Sequence, residues 1–213
     1  ALVGQQLAPV PWLATLPLAV LACGTLLSVS PLARRMQHLG WRKGLQMGAR
    51  LGIVGGLVCT AGIVSQQFVL FCVGTLCIGA YQASAGFYRF AALESVPAPL
   101  KGRATAWVVA GGMVAALVAP TMALATRNLL ATPMAGAYVC ISVLAAIALA
   151  LLQRLPAQAA SPASSQAAAP VTRQALWQRA PLRYALCLTA CGQGLMVLLM
   201  NATPLAMQHH GHA

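Results

Sequence analysis

An all-α polytopic membrane protein is the fold class that this sequence predicts. The chain has 213 residues, of which 60% are hydrophobic and only 7% are charged. Soluble domains carry about 25% charged residues, so this chain lacks the polar side chains that would cover a soluble globule. Its apolar residues fall into long runs, and short basic clusters separate those runs. A helix needs roughly 20 apolar residues to span a bilayer, and the runs match that length.

Six runs are long enough to be spanning helices. They cover residues 11–29, 45–64, 68–92, 104–125, 133–152 and 182–203. Residues 1–5 are expected to end an earlier helix, and we therefore expect the chain to be a fragment of a longer protein.

The composition also predicts how the chain is divided. Residues 156–172 are rich in Ala, Pro and Ser, a composition typical of a flexible linker. We therefore predict an N-terminal transmembrane half over 1–155, a cytoplasmic linker over 156–181 and the first helix of a second half over 182–213.

Basic and neutral connections alternate between the runs. The stretch 31–50 holds five of the thirteen Lys and Arg: Arg34, Arg35, Arg42, Lys43 and Arg50. The turn at 65–67 holds none, and the connection at 95–103 is basic again. Because Lys and Arg resist translocation, the basic connections are expected in the cytoplasm. The pattern predicts a multi-pass membrane protein, with the lipid bilayer as a partner.

The basic excess does not indicate a nucleic-acid partner. Thirteen Lys and Arg stand against a single acidic residue, Glu94, but they lie in clusters between apolar runs. Nucleic-acid binding favours a continuous basic face, which this pattern does not form. The seven cysteines lie inside the apolar runs without a CxxC pair, so we expect small packing residues.

No cofactor, metal or enzymatic activity is predicted. The terminal His209, His210 and His212 have no Cys or carboxylate beside them, which makes them a weak metal signal. The sequence contains no GxSxG, HExxH or P-loop pattern and no Asp, so a non-enzyme is expected.

Polar residues in the third run are candidates for a substrate cavity. Arg89 could attract an anionic group, or its long side chain could reach the membrane interface instead. Gln82 lies seven residues earlier, on the same face of a continuous helix, and Tyr88 adds a hydroxyl group. We expect Arg89, Gln82 and Tyr88 to line a cavity, with interhelical polar contacts as the alternative.

Small residues and proline suggest how the helices pack and bend. Gly48, Gly52 and Gly56 repeat at four-residue spacing, which favours close contact between helices. Pro120 lies inside the fourth run, where it is expected to kink or flex the helix.

The basic stretch resembles a motif of the major facilitator superfamily of transporters. That family carries G-x-L-x-D-R-x-G-R-R between its second and third helices, and Gly40, Arg42 and Lys43 match the end of the motif. Gln37 and His38 stand where the family has its Asp-Arg pair.

Two further stretches resemble the same family. Pro120 occupies the place of the proline in the helix-five antiporter motif, with alanines at the small-residue positions 115, 119 and 123. Residues 97–104, of pattern PxxxKGRA, are similar to the short turn between helices four and five.

The resemblance implies a function, a gate and a location in a bacterial inner membrane. The six runs would be helices two to seven, and two halves would rock around a central site to give alternating access. The cytoplasmic gate would contain Gly40, Arg42, Lys43 and Arg103, and Glu94 would supply the latch carboxylate. The antiporter-like Pro120 favours proton-coupled efflux, with a small molecule and protons as partners. A non-transporting integral membrane enzyme or assembly protein is the alternative.

Overall fold

The computed structural model describes residues 2–7, 10–94, 96–126, 135–154 and 180–209, and all regular structure in these ranges is helical. The helices are α1 (Leu2–Leu7), α2 (Leu16–Leu39), α3 (Trp41–Val64), α4 (Phe68–Ala85), α5 (Tyr88–Glu94), α6 (Lys101–Thr126), α7 (Ala135–Arg154) and α8 (Ala180–His209). Short 3₁₀ turns at Pro11–Thr15 and Ala98–Leu100 precede α2 and α6.

Most of these helices are suited to a bilayer. Five segments are long and apolar enough to cross a membrane: Trp12–Leu39, Trp41–Val64, Phe68–Leu93, Lys101–Thr126 and Ala135–Arg154. Within α8, a shorter apolar stretch covers Arg183–Leu199. These segments follow the order of the predicted runs, and the predicted class, an all-α polytopic membrane bundle, is confirmed.

The chain divides into two compact units, residues 1–161 and 162–213. The packing described below belongs to the first unit, whereas α8 belongs to the second. The predicted linker over 156–181 lies almost entirely outside the described residues, which resume at Ala180.

Helix α3 is the centre of the first unit. It packs against α4 on one side and α7 on the other, while α2 packs against α4. A Cβ atom on Gly52 would come within 2.8 Å of the Tyr81 ring on α4 and 3.1 Å of Ala145 Cβ on α7. A Cβ atom on Gly56 would come within 2.8 Å of the Tyr138 carbonyl oxygen on α7. The predicted glycine face of α3 is therefore confirmed as the surface where three helices meet.

Two buried apolar clusters hold the two ends of this unit. The first joins α2, α3 and α7 through Leu32, Met36, Leu45, Ala49 and Leu152. Because it lies among the Arg and Lys residues of the 31–50 stretch, we call this the basic end. The second joins α1, α3, α4 and α7 through Val3, Cys59, Ile63, Phe71 and Ala135, and we call that the neutral end.

The basic stretch is helical, which differs from the expected connection. Helix α2 continues to Leu39 and α3 begins at Trp41, so only Gly40 separates them. The physical reason is amphipathicity: Leu32 and Met36 are buried in the basic-end cluster, while the Arg residues beside them are exposed. The helices thus extend past the apolar runs because one face still packs.

The third predicted run is interrupted near its end. Helix α4 ends at Ala85 and α5 begins at Tyr88, with a turn between them. The N–H of Phe87 donates to the carbonyl of Ser84 at 3.0 Å, a bond over three residues. Such a bond belongs to a tighter helical turn than the α-helix, so the segment changes its winding here.

Helix α6 makes few contacts with the rest of the unit. Thr126 is its buried residue, and most of its other side chains are exposed. Its surface is apolar on all sides, a composition suited to lipid or to further helices. Pro120 lies inside this helix, as expected.

Candidate functional site

Gly40 forms the junction between α2 and α3 at the basic end. Its backbone has φ 84° and ψ 157°, a region that is essentially restricted to glycine. Its carbonyl accepts a hydrogen bond from the N–H of Gly44 at 3.3 Å, in the first turn of α3. The glycine of the predicted gate motif therefore has a backbone role, because it lets one helix follow the other after a single residue.

Arg42 joins the start of α3 to the end of α7. Its Nε donates to the carbonyl of Leu152 at 3.0 Å, and its Nη2 donates to the carbonyl of Gln153. Gln46, one turn further along α3, donates to the same Leu152 carbonyl at 3.3 Å. The last carbonyls of a helix lack intrahelical donors and carry partial negative charge. Arg42 and Gln46 together therefore cap α7.

The other predicted gate residues lie apart from this cap. Lys43 is exposed on α3, and Arg103 is exposed in the first turn of α6. Glu94 is the last residue of α5, and its side chain lies outside the described part of the structure. The structure thus brings Arg42 to α7, while the latch assigned to Glu94 stays a prediction.

Tyr88 contributes to the packing at the basic end. It is half-buried against the basic-end cluster, as are Trp41 and Phe87. The ring centroids of Trp41 and Phe87 lie 6.2 Å apart, so an aromatic contact joins α3 to the turn before α5. The predicted cavity role of Tyr88 stays a prediction.

Gln82 and Arg89 are exposed on two different helices. Gln82 belongs to α4 and Arg89 to α5, on opposite sides of the turn at Gly86 and Phe87. Spacing of seven residues places side chains on one face only along an uninterrupted α-helix. The spacing of Gln82 and Arg89 therefore does not by itself place them on one face. Both side chains are exposed, and their shared cavity stays a prediction.

Two hydroxyl groups form hydrogen bonds between helices that were not predicted from the sequence. Thr25 Oγ1 donates to the carbonyl of Gly79 at 3.1 Å, between α2 and α4. Ser142 Oγ donates to the carbonyl of Ile53 at 3.3 Å, between α7 and α3. Ser and Thr in helices also bond to carbonyls of their own turn, which hides such contacts in a sequence. Ser142 lies directly against Gly56, and the sequence gives no local signal for this contact between α7 and α3.

The described ranges contain no group of three or more His, Cys, Asp or Glu that could hold a metal ion. His209 ends α8, while His210 and His212 lie outside those ranges.

Comparison with known proteins relates the chain to a transporter. The chain is similar to the riboflavin transporter RfnT of Brucella anthropi, with 36% identity over 217 aligned residues. The match covers 100% of this chain and 54% of that protein, so the chain spans about half the length of the curated relative. No family model matches the chain. No solved structure matches it either.

This similarity bears on two expectations from the sequence. The relative is named as a transporter and not as an enzyme, in agreement with the predicted absence of catalysis. Membership of the major facilitator superfamily stays a prediction, because the relative's name does not state it and no family model matches.

Proposed function

We propose that this chain forms about half of a secondary active transporter that moves a small molecule across a membrane by alternating access. The observation that carries the proposal is the 36% identity, along the whole chain, to a protein named as a riboflavin transporter. Five apolar spans and glycine-mediated helix contacts support it, because such a closely packed bundle can cross a bilayer.

Riboflavin is the substrate that we propose. The relative's name supplies the compound, and the third span offers chemistry that suits it. Gln82 has an amide that both donates and accepts hydrogen bonds, and Arg89 has five N–H donors, so the pair could bind polar edges of a flavin ring. Both side chains are exposed.

Proton-coupled efflux is the transport mode that we propose. Pro120 inside α6 supports it, because a proline at this place resembles that of an antiporter motif. Glu94 is the single acidic residue of the chain and stands at the end of α5, and we propose it as the latch carboxylate of the cytoplasmic gate.

A flux assay tests substrate, coupling and direction together. The full-length protein is reconstituted into liposomes loaded with labelled riboflavin, and release is followed at equal pH and with an acidic exterior. Proton-coupled efflux predicts saturable release that is faster with the acidic exterior and slows when a protonophore is added. Empty liposomes and excess unlabelled riboflavin are the controls.

Each outcome addresses one part of the proposal. No flux above that of empty liposomes would contradict riboflavin transport. Saturable flux with the same rate at equal pH and with the acidic exterior would contradict proton coupling. Release that is slower with the acidic exterior than at equal pH would contradict efflux by proton antiport and would assign uptake by symport.

A further inference from the structure

We propose that the outer face of α3 at the basic end binds the headgroup of an anionic phospholipid. The candidate site contains Arg35, Lys43 and Arg50, grouped around Met47. Arg42 is not part of it, since that side chain is bonded to α7. The site is independent of the proposed transport function.

Helix geometry brings the three cations together. Lys43, Met47 and Arg50 are separated by four and three residues on α3, so they share one face. Arg35 reaches the same place from α2, where its Nη1 lies 2.8 Å from the sulfur of Met47. All three cationic side chains are exposed.

The chain itself cannot neutralise this group of charges. Glu94 is the single acidic residue against thirteen Lys and Arg. The described acceptor for Arg35 is a thioether, which is a weak hydrogen-bond acceptor. Arg50 is exposed on the same face of α3. Donors thus remain for an external anion, and the guanidinium groups of Arg35 and Arg50 match a phosphate in geometry.

The same face of α3 favours a lipid over a soluble anion. Arg50 lies about 10 Å further along the helix than Lys43, toward the apolar part of the span. Val54 and Leu57 follow on this face and are 49% and 54% exposed. The opposite side of α3 is covered by α4 and α7. A cationic group that continues into an accessible apolar strip matches a phosphate headgroup followed by an acyl chain.

Lipid titration of the full-length protein in detergent tests the site. Binding is measured by native mass spectrometry with phosphatidylglycerol, with phosphatidylcholine of the same acyl chains, and with inorganic phosphate as a competitor. We expect preferential binding of phosphatidylglycerol, with little competition by inorganic phosphate. The double variant Lys43→Gln with Arg50→Gln should bind it about thirtyfold more weakly, from about 1 kcal/mol for each basic residue.

A charge-matched control separates this site from general surface charge. Arg34→Gln with Arg103→Gln removes two exposed cations outside the proposed face, and its lipid binding should stay close to that of the natural sequence. A benzophenone amino acid at position Leu57 gives a second measurement in the unaltered charge background. After illumination, it should become linked to phosphatidylglycerol in preference to phosphatidylcholine in a mixed bilayer.

Three results would overturn the proposal. Equal binding of the two lipids would show that the headgroup charge is not recognised. Full competition by inorganic phosphate would assign the cations to a soluble anion. Equal weakening in the control variant would mean that overall charge, and not this face of α3, attracts the lipid.

Discussion

Arg42 makes the most specific side-chain contact between α3 and α7. Charge-assisted hydrogen bonds contribute about 1.5–3 kcal/mol each, and a half-buried group retains part of that value. Because Arg42→Gln removes the charge and the forked geometry, we expect the free energy of unfolding to fall by about 2 kcal/mol. Thermal unfolding of the purified full-length protein in detergent measures the change.

The control for this prediction is Arg34→Gln. Arg34 is exposed on α2, so its loss should leave the unfolding temperature nearly unchanged. If Arg42→Gln unfolded at the temperature of the natural sequence, the cap on α7 would contribute nothing to stability. The guanidinium would then be better explained by the gate role that the sequence motif implies.

The variant Arg89→Ala distinguishes a role of Arg89 in substrate binding from a role in folding. Its side chain is exposed on α5, so Arg89→Ala should leave the amount of folded protein in the membrane unchanged. Loss of a charge-assisted hydrogen bond to the substrate should lower riboflavin transport about tenfold or more. Flux and membrane expression are measured in parallel, with Arg34→Ala as control. Equal loss of flux and expression would assign Arg89 a structural role.

At the scale of elements, the glycines of α3 determine how closely the helices approach. A methyl group on Gly56 would overlap Ser142 and lie 2.8 Å from the Tyr138 carbonyl oxygen. Overpacking of this kind costs about 1–3 kcal/mol, so Gly56→Ala should lower the unfolding temperature. Gly102→Ala is the control, because no atom lies within 4 Å of the added Cβ there. Equal unfolding temperatures for the two variants would contradict close packing of α3 on α7.

Pro120 tests whether α6 must bend during transport. Proline inside a helix removes one backbone hydrogen bond and weakens the helix locally. Pro120→Ala should therefore give a stiffer α6, with slower riboflavin flux and an unchanged or higher unfolding temperature. Pro31→Ala is a matched control, since Pro31 is also an exposed proline inside a helix, α2. Equal slowing in both variants would remove any special role for Pro120.

At the scale of the whole molecule, the class and the order of the spans could be predicted from the sequence. Apolar run length and basic clusters are direct consequences of the bilayer as a solvent. The continuation of α2 to Leu39 could not be predicted from charge, because the helix carries exposed Arg residues on one face and the buried Leu32 and Met36 on the other.

The candidate site was less accessible to sequence reasoning than the fold. The bonds from Arg42 to the end of α7 join residues that are 110 and 111 positions apart, and no local pattern encodes such a pairing. A tighter turn separates α4 from α5 between Gln82 and Arg89, so the cavity face expected from their spacing stays a prediction. Local sequence patterns identified candidate residues, but contacts between distant parts of the chain determine which of these residues lie together.

The orientation of the whole molecule is the last prediction. The basic end should face the cytoplasm, because translocating its many Arg and Lys residues is unfavourable.

Two single-cysteine variants test this orientation in a background without the seven native cysteines. His38→Cys lies at the basic end, and Gln66→Cys lies in the exposed turn at the other end of α3. A membrane-impermeant maleimide should label Gln66→Cys in intact cells, and His38→Cys only after permeabilisation. The reverse pattern would place the basic end outside. It would also place the proposed lipid site in the outer leaflet, whereas the flux assay would be unaffected.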